Sequence, residues 1–169
     1  MLLVVSLCLF ASVRAYEERY INQTLDHFRF TYPAVTWRHR YLWDESHWTG
    51  EGKLPNGCKG PILLCKSQHP PRAERSLTFV RFLALVLTLD TGNEGPIENF
   101  WGATGFMHEV LAPKWHALLV YPEERYYGQS LPFGKGKSFT KENVVYLTTE
   151  QVLLLLSFIY ITIMLLPTK

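Results

Sequence analysis

Apolar and polar positions alternate most cleanly between Thr36 and Trp43. Trp37, His39, Tyr41 and Trp43 share one face there, with Arg38, Arg40 and Leu42 on the other. A period of two predicts a strand, antiparallel and at a sheet edge. The short apolar run Pro61-Ile62-Leu63-Leu64-Cys65 predicts a buried strand. The continuous run Ala117-Leu118-Leu119-Val120-Tyr121 predicts a strand covered on both faces. Between these two runs, Thr104 to Leu111 places Phe106, Met107, Val110 and Leu111 on one helical stripe, and Pro113 is expected to stop that helix. Strand, helix and strand in that order make a βαβ unit. Pro96 to Gly102 reads as a loop carrying Phe100 and Trp101. Leu25, Phe28 and Phe30 suit an extended, partly buried entry segment. Thr148-Thr149-Glu150-Gln151 is a capping box and predicts a helix start: the threonine hydroxyl accepts from the N–H three residues on, and Gln151 reaches back.

Three stretches depart from this pattern. Leu2 to Phe10 are apolar and are followed by Ala11-Ser12-Val13-Arg14-Ala15, which reads as a signal peptide over residues 1–15 cleaved between Ala15 and Tyr16. Residues 66–90 form an atypical insertion, first polar and proline-rich, then apolar from Leu77 to Leu89. Residues 152–166 carry no charge. A helix of that length rises about 22 Å, short of the ~30 Å hydrocarbon core, so the tail suits association with a membrane better than crossing it. The chain thus divides into 1–15, a main domain over 16–151 and an apolar tail over 152–169.

Charge and composition narrow the function classes. The net charge is +2 and no basic face is interleaved with aromatics, which excludes a nucleic-acid partner. Asn22-Gln23-Thr24 is an N-glycosylation acceptor once the signal routes the chain for secretion. Cys58 and Cys65 remain after cleavage. In an extended segment at ~3.3 Å per residue their α-carbons lie roughly 20 Å apart. A disulfide needs less than about 7 Å, so none is expected between them.

Candidate chemistry is mostly excluded. None of the histidines lies in H-E-x-x-H, and two cysteines alone make no structural zinc site, so neither metal nor cofactor is expected. Gly134-Lys135-Gly136-Lys137-Ser138 lacks the earlier glycine of a phosphate loop and reads as a basic loop. Asp26 and His27 are adjacent, so on a strand they point to opposite faces and cannot relay a proton. No G-x-S-x-G nucleophile elbow occurs. Gly128-Gln129-Ser130-Leu131-Pro132 comes near it but has proline for the second glycine, and Ser130 is not assigned as nucleophile.

Five stretches carry a resemblance: Leu25-Asp26-His27-Phe28, Thr91-Gly92-Asn93-Glu94-Gly95, Thr104-Gly105-Phe106-Met107, the block from Glu123 to Gly134, and Leu147-Thr148-Thr149-Glu150-Gln151. Together they resemble the family of lysosomal Pro-X carboxypeptidase, dipeptidyl peptidase II and thymus-specific serine protease, over about residues 16–65 and 91–151. The resemblance implies an incomplete α/β-hydrolase fold, comprising the N-terminal strands and the first βαβ unit. It implies a serine-type exopeptidase acting next to proline on peptide substrates, either removing a C-terminal residue after proline or releasing N-terminal dipeptides. The protein would be lysosomal or extracellular.

The resemblance makes Gly92, Asn93, Glu94 and Gly95 the candidate oxyanion loop, since a glycine turn lets backbone N–H groups approach a reacting oxygen. It makes Glu124, Arg125, Tyr126, Tyr127 and Gly128 an active-site scaffold, with Arg125 paired to a carboxylate and the tyrosines packed under the loop. Relatives usually carry histidine at the position of Glu124. The family's nucleophile elbow follows the helix that begins at Thr148, so no catalytic residue is assigned. The chain alone is expected to be inactive, with an open apolar edge and face and poor independent stability. The alternative is a non-catalytic secreted or membrane-associated fragment that binds a partner through that surface.

Overall fold

The computed structural model describes residues 16–29, 33–48, 62–64 and 94–165. Among these, strands β1 (Glu17–Thr24), β2 (Thr36–Asp44), β3 (Ile62–Leu64) and β4 (Leu118–Pro122) form one mixed sheet in the order β1-β2-β4-β3. β2 runs antiparallel to both β1 and β4, and β3 runs parallel to β4. The alternating stretch is therefore an interior strand, not an edge. β1 takes the edge, and its exposed Glu17, Glu18, Tyr20 and Asn22 hid it from a search for apolar periodicity. Charged edge positions discourage pairing with other chains.

Helix α3 (Thr149–Leu165) covers one face of the sheet. Its Leu155, Leu156 and Ile159 pack with Leu25, Trp37, Tyr41, Trp43, Leu118 and Val120. On the other face, Leu42, Leu119 and Tyr121 pack with Ile97, Met107, Leu111 and Ala112. β4 is buried along its whole length because its alternate residues feed both cores, as the unbroken apolar run predicts.

Two helical expectations are corrected. Residues 96–102 are not a loop, since Ile97–Ala103 is helix α1, entered from extended Pro96. Proline suits a helix start because its missing N–H is not needed there. Next, Pro113 does not stop the following helix. A π turn over Met107–Leu111 runs straight into α2 (Ala112–Trp115), which ends at left-handed His116. The Ala112 N–H bonds to the Met107 carbonyl, five residues back. This wider turn puts Pro113 back in a first turn, where it is tolerated. It also rotates the buried stripe: Met107, His108, Leu111 and Ala112 are buried, while Phe106 and Val110 are exposed.

The start of α3 is held from a distance. The Gln151 N–H donates to Thr148 Oγ1 at 3.3 Å, as a capping box requires. The Gln151 side chain does not reach back. Its Nε2 donates to Asp26 Oδ1 at 2.7 Å and its Oε1 accepts from the His27 N–H at 3.0 Å. The Leu25-Asp26-His27-Phe28 motif is thus the anchor of α3. Gln151 is buried, so Gln151→Leu should leave the His27 N–H unpaired and cost about 1–3 kcal/mol, read as a lowered urea midpoint. An unchanged midpoint would reject the anchor.

The outer face of α3 exposes Leu153, Leu154, Phe158, Ile161 and Leu165. Among the described residues no helix is long and apolar enough to cross a membrane. The signal segment with Ala15, both mature cysteines, the 66–90 insertion, and Gly92 and Asn93 of the glycine turn lie outside the described residues.

Candidate functional site

The antiparallel register pairs Tyr41 with Pro122, and the Glu123 N–H then donates to the Arg40 carbonyl at 3.1 Å. One step beyond β4, Arg40 and Glu123 are therefore direct cross-strand neighbours on one face. Both are buried, and they meet through two contacts: Arg40 Nε to Glu123 Oε2 at 3.1 Å and Nη2 to Oε1 at 2.5 Å. The other side of the same guanidinium grips Glu98 of α1, at 2.6 Å from Nη1 and 3.0 Å from Nη2. Glu18 of β1 stands at 3.4 Å. Burial disfavours the Arg40 charge, but the bonds from Glu123 and Glu98 outweigh it and hold the guanidinium more firmly protonated than usual.

Glu123 does more than neutralise Arg40. Its carboxylate accepts from the Ile97 N–H at 3.3 Å, the Gln129 N–H at 2.9 Å and the Ser130 hydroxyl at 2.9 Å. It thereby ties the end of the glycine turn, where α1 begins, to the turn after β4. Ser130 is fully buried, and its Oγ also accepts from the Arg40 N–H at 3.0 Å. A serine with its proton on a buried carboxylate and no access to solvent is a structural brace, consistent with leaving it out of the catalytic set.

The turn after β4 is strained. Tyr126 has φ +74° and Gly128 φ +53°, both left-handed. For a buried tyrosine this costs about 1–3 kcal/mol. Local bonds hold it: the Tyr126 N–H donates to the Ser130 carbonyl at 2.8 Å, and its hydroxyl donates to the Asn143 carbonyl. At Gly128 a Cβ would stand 1.9 Å from Glu123 Oε1, so glycine is required there by shape as well as by φ.

The sequence-derived scaffold is partly rearranged. Arg125 is buried, but it is not the arginine of the ion pair. Its Nη2 donates to the Leu25 carbonyl at 2.9 Å, and its guanidinium lies 5.7 Å from the Trp37 ring centre and 5.6 Å from that of Tyr126. The carboxylate at the centre of the network is Glu123, not Glu124, which is half-buried. Tyr126 packs edge-on against Phe139. Tyr127 does reach that turn: burial, and then the neighbouring Glu94 carboxylate, raise its phenol pKa. Glu94 is exposed, and a Cβ on Gly95 would make only ordinary contact at 3.9 Å with the Phe100 ring.

Arg40 and Glu98 were missed in the sequence, and Glu123 was noted only as the first residue of the block after β4. One signal was available, since Arg40 shares with Leu42 a face that becomes core, and an arginine there needs a partner. Thr104 also gains a reason. At the end of α1 its hydroxyl sits 2.7 Å from the Tyr121 hydroxyl and 3.2 Å from His108 Nε2. The Thr104-Gly105-Phe106-Met107 motif thus joins α1, the π turn and β4.

The network has a pH signature. The Arg40 bond holds the Glu98 carboxyl below its ordinary 4.5, against the effect of burial. The Phe28 N–H does the same for Asp26 below 3.8, again against burial, with Gln151 adding to it. A depressed carboxyl pKa means that the unfolded chain binds the proton first. The stability these groups add is present above their ordinary values and drains as pH falls through the lower folded ones. Urea midpoints should fall between about pH 5 and about pH 3, and Glu98→Gln should flatten the upper part of that slope. A slope unchanged in that variant would reject the Glu98 contribution.

Comparison with known proteins places these features. The profile of the family described as Serine carboxypeptidase S28 matches residues 81–164. Lysosomal Pro-X carboxypeptidase of Bos taurus is 36% identical over 138 residues, covering 82% of this chain and 21% of the relative. The Mus musculus protein of that name is 35% identical over 143 residues, covering 85% and 22%. Prolyl carboxy peptidase like protein 5 of Caenorhabditis elegans is 34% identical over 140 residues, covering 82% and 20%. The chain spans about a fifth of the length of these curated relatives.

Proposed function

The chain belongs to the serine carboxypeptidase S28 family, and on that premise we propose that it forms the oxyanion-loop portion of an α/β-hydrolase peptidase that cleaves next to proline. The observation that carries this reading is the Glu123 carboxylate. It bonds the Ile97 N–H at the start of α1 and braces the turn after β4, which supports a reading in which both candidate motifs gather at the carboxyl end of β4. Ligand sites of open α/β sheets gather at that edge. Removal of a C-terminal residue after proline is the favoured reaction, because the mammalian relatives carry the name Pro-X carboxypeptidase. Release of N-terminal dipeptides is the other member of the same reading.

The chemistry needs a serine nucleophile, its base and an acid, and these 169 residues contain no G-x-S-x-G. Oxyanion donors without a nucleophile do not turn over substrate. The purified chain is therefore expected to leave an acyl-prolyl-phenylalanine reporter and a prolyl dipeptide reporter intact, and to resist labelling by a serine-directed fluorophosphonate. Labelling or turnover by this chain would overturn that part of the reading. A route through the secretory pathway to a lysosomal or extracellular site fits the lysosomal relatives, the signal-like residues 1–15 and the exposed Asn22 on edge strand β1. Expression in a secretory host should give a glycosidase-sensitive mass that Asn22→Gln abolishes.

A second reading follows from the outer face of α3. The exposed apolar side chains among its described residues suit a non-catalytic chain that associates with a membrane surface or a partner. Detergent-dependent solubility together with silence in both reporter assays would favour it.

A further inference from the structure

We propose that Arg125, Trp37 and Gln23 enclose an internal site for a small monovalent anion. Arg125 is 1% exposed and Gln23 0%, and Trp37 is buried as well. Gln23 and Trp37 are direct partners in the β1–β2 ladder, so their side chains share one face of the sheet. The Arg125 guanidinium lies over the Trp37 ring, its Nη2 donates to the Leu25 carbonyl, and the Tyr126 side chain is a further hydrogen-bonding neighbour. Among the described residues, Arg125 Nε and Nη1, Trp37 Nε1 and both amide atoms of Gln23 have no hydrogen-bond partner.

The chemistry of the set decides the ligand. An arginine stays charged in proteins and cannot escape its burial by losing a proton. The Trp37 and Tyr126 rings offset part of that charge, but Nε and Nη1 stay without a hydrogen-bond partner among the described residues. Of the nearby acids, Glu124 and Asp26, neither bonds Nε or Nη1, and Asp26 already accepts from the Phe28 N–H and from Gln151. The unmet groups are donors except for Gln23 Oε1 and the neighbouring His27 Nε2, whose role depends on its tautomer: the donors are two nitrogens of Arg125, one of Trp37 and the Gln23 amide nitrogen. A water offers as many donors as acceptors and would leave its own hydrogens poorly placed among them. An anion accepts from all of them and neutralises the guanidinium. The burial of Arg125 excludes the end of a peptide substrate and points to a small ion instead.

Chloride is the probe. Titrating the purified chain with sodium chloride against sodium gluconate at constant ionic strength should give a saturable rise of the thermal midpoint with chloride, and broadening of the 35Cl resonance. Trp37→Phe keeps the ring but removes one donor, and it should weaken the chloride effect several-fold. Arg125→Gln should abolish it. If Arg125→Gln does not fold, Trp37→Phe and anomalous scattering from bromide-soaked crystals carry the test. The proposal is overturned by identical chloride and gluconate curves, by an unchanged response in Trp37→Phe, or by an ordered water with no bromide at Arg125. It does not rest on the peptidase reading, since neither readout involves hydrolysis.

Discussion

Replacing Arg40 with methionine should lower the stability of the chain by about 3–5 kcal/mol, because it leaves the Glu123 carboxylate buried without its cation. Glu123 and Arg40 are each about 1% exposed, so water cannot replace the lost partner. The two ends of the clamp differ. The Glu98 side chain is 36% exposed, and a solvated pair of that kind contributes about 0–1 kcal/mol. Glu98→Gln should therefore cost far less than Arg40→Met, although both remove contacts of similar length. Arg40→Lys keeps the charge but loses the planar double grip, and should fall between them. Pairing Arg40→Met with Glu123→Gln should recover part of the loss and no more, since the Ile97 N–H, the Gln129 N–H and the Ser130 hydroxyl still need acceptors. Urea midpoints of the four variants give the order. Equal costs for Glu98→Gln and Arg40→Met would mean that the network is not centred on the buried carboxylate. Should Arg40→Met fail to fold, the order of Glu98→Gln and Arg40→Lys still decides.

Gly128→Ala carries the second large effect. The left-handed φ of +53° costs a non-glycine residue about 1–2 kcal/mol. The new Cβ would also stand 1.9 Å from Glu123 Oε1 and 2.5 Å from its Cδ. A free carboxylate would swing away, but this one is held by Arg40, two backbone N–H groups and Ser130. Moving it breaks the network, which adds about 1–3 kcal/mol as in an overpacked core. The expected total is about 2–5 kcal/mol. Gly134 is the internal control: its φ is +75°, but nothing lies within 4 Å of an added Cβ. Gly134→Ala should cost only the conformational part, about 1–2 kcal/mol. A Gly128→Ala loss no larger than that of Gly134→Ala would refute the collision. In a Glu123→Ala background the Gly128→Ala penalty should shrink, because the atom it meets is gone.

Sequence pattern alone located β2, β3, β4 and the start of α3, because each bears a local signature: alternation of period two, an unbroken apolar run, or a capping box. The family resemblance, rather than pattern, picked out the motifs at Leu25, Thr104 and Glu123 that proved to be structural joints. Pattern could not see β1, whose stability comes from pairing with β2 rather than from its own apolar residues. It ended a helix at Pro113 because it had no means of sensing a π turn that resets the helix start. The resemblance pointed to Arg125 as the arginine paired with a carboxylate, but Arg125 donates to the Leu25 carbonyl instead. The actual pair, Arg40 and Glu123, is set by the register of two antiparallel strands 83 positions apart in sequence. Residue types and local periodicity fix which segments are strands and helices. Which charges meet, and which glycine must stay bare to let them meet, depends on register and turn geometry, and only the assembled sheet specifies those.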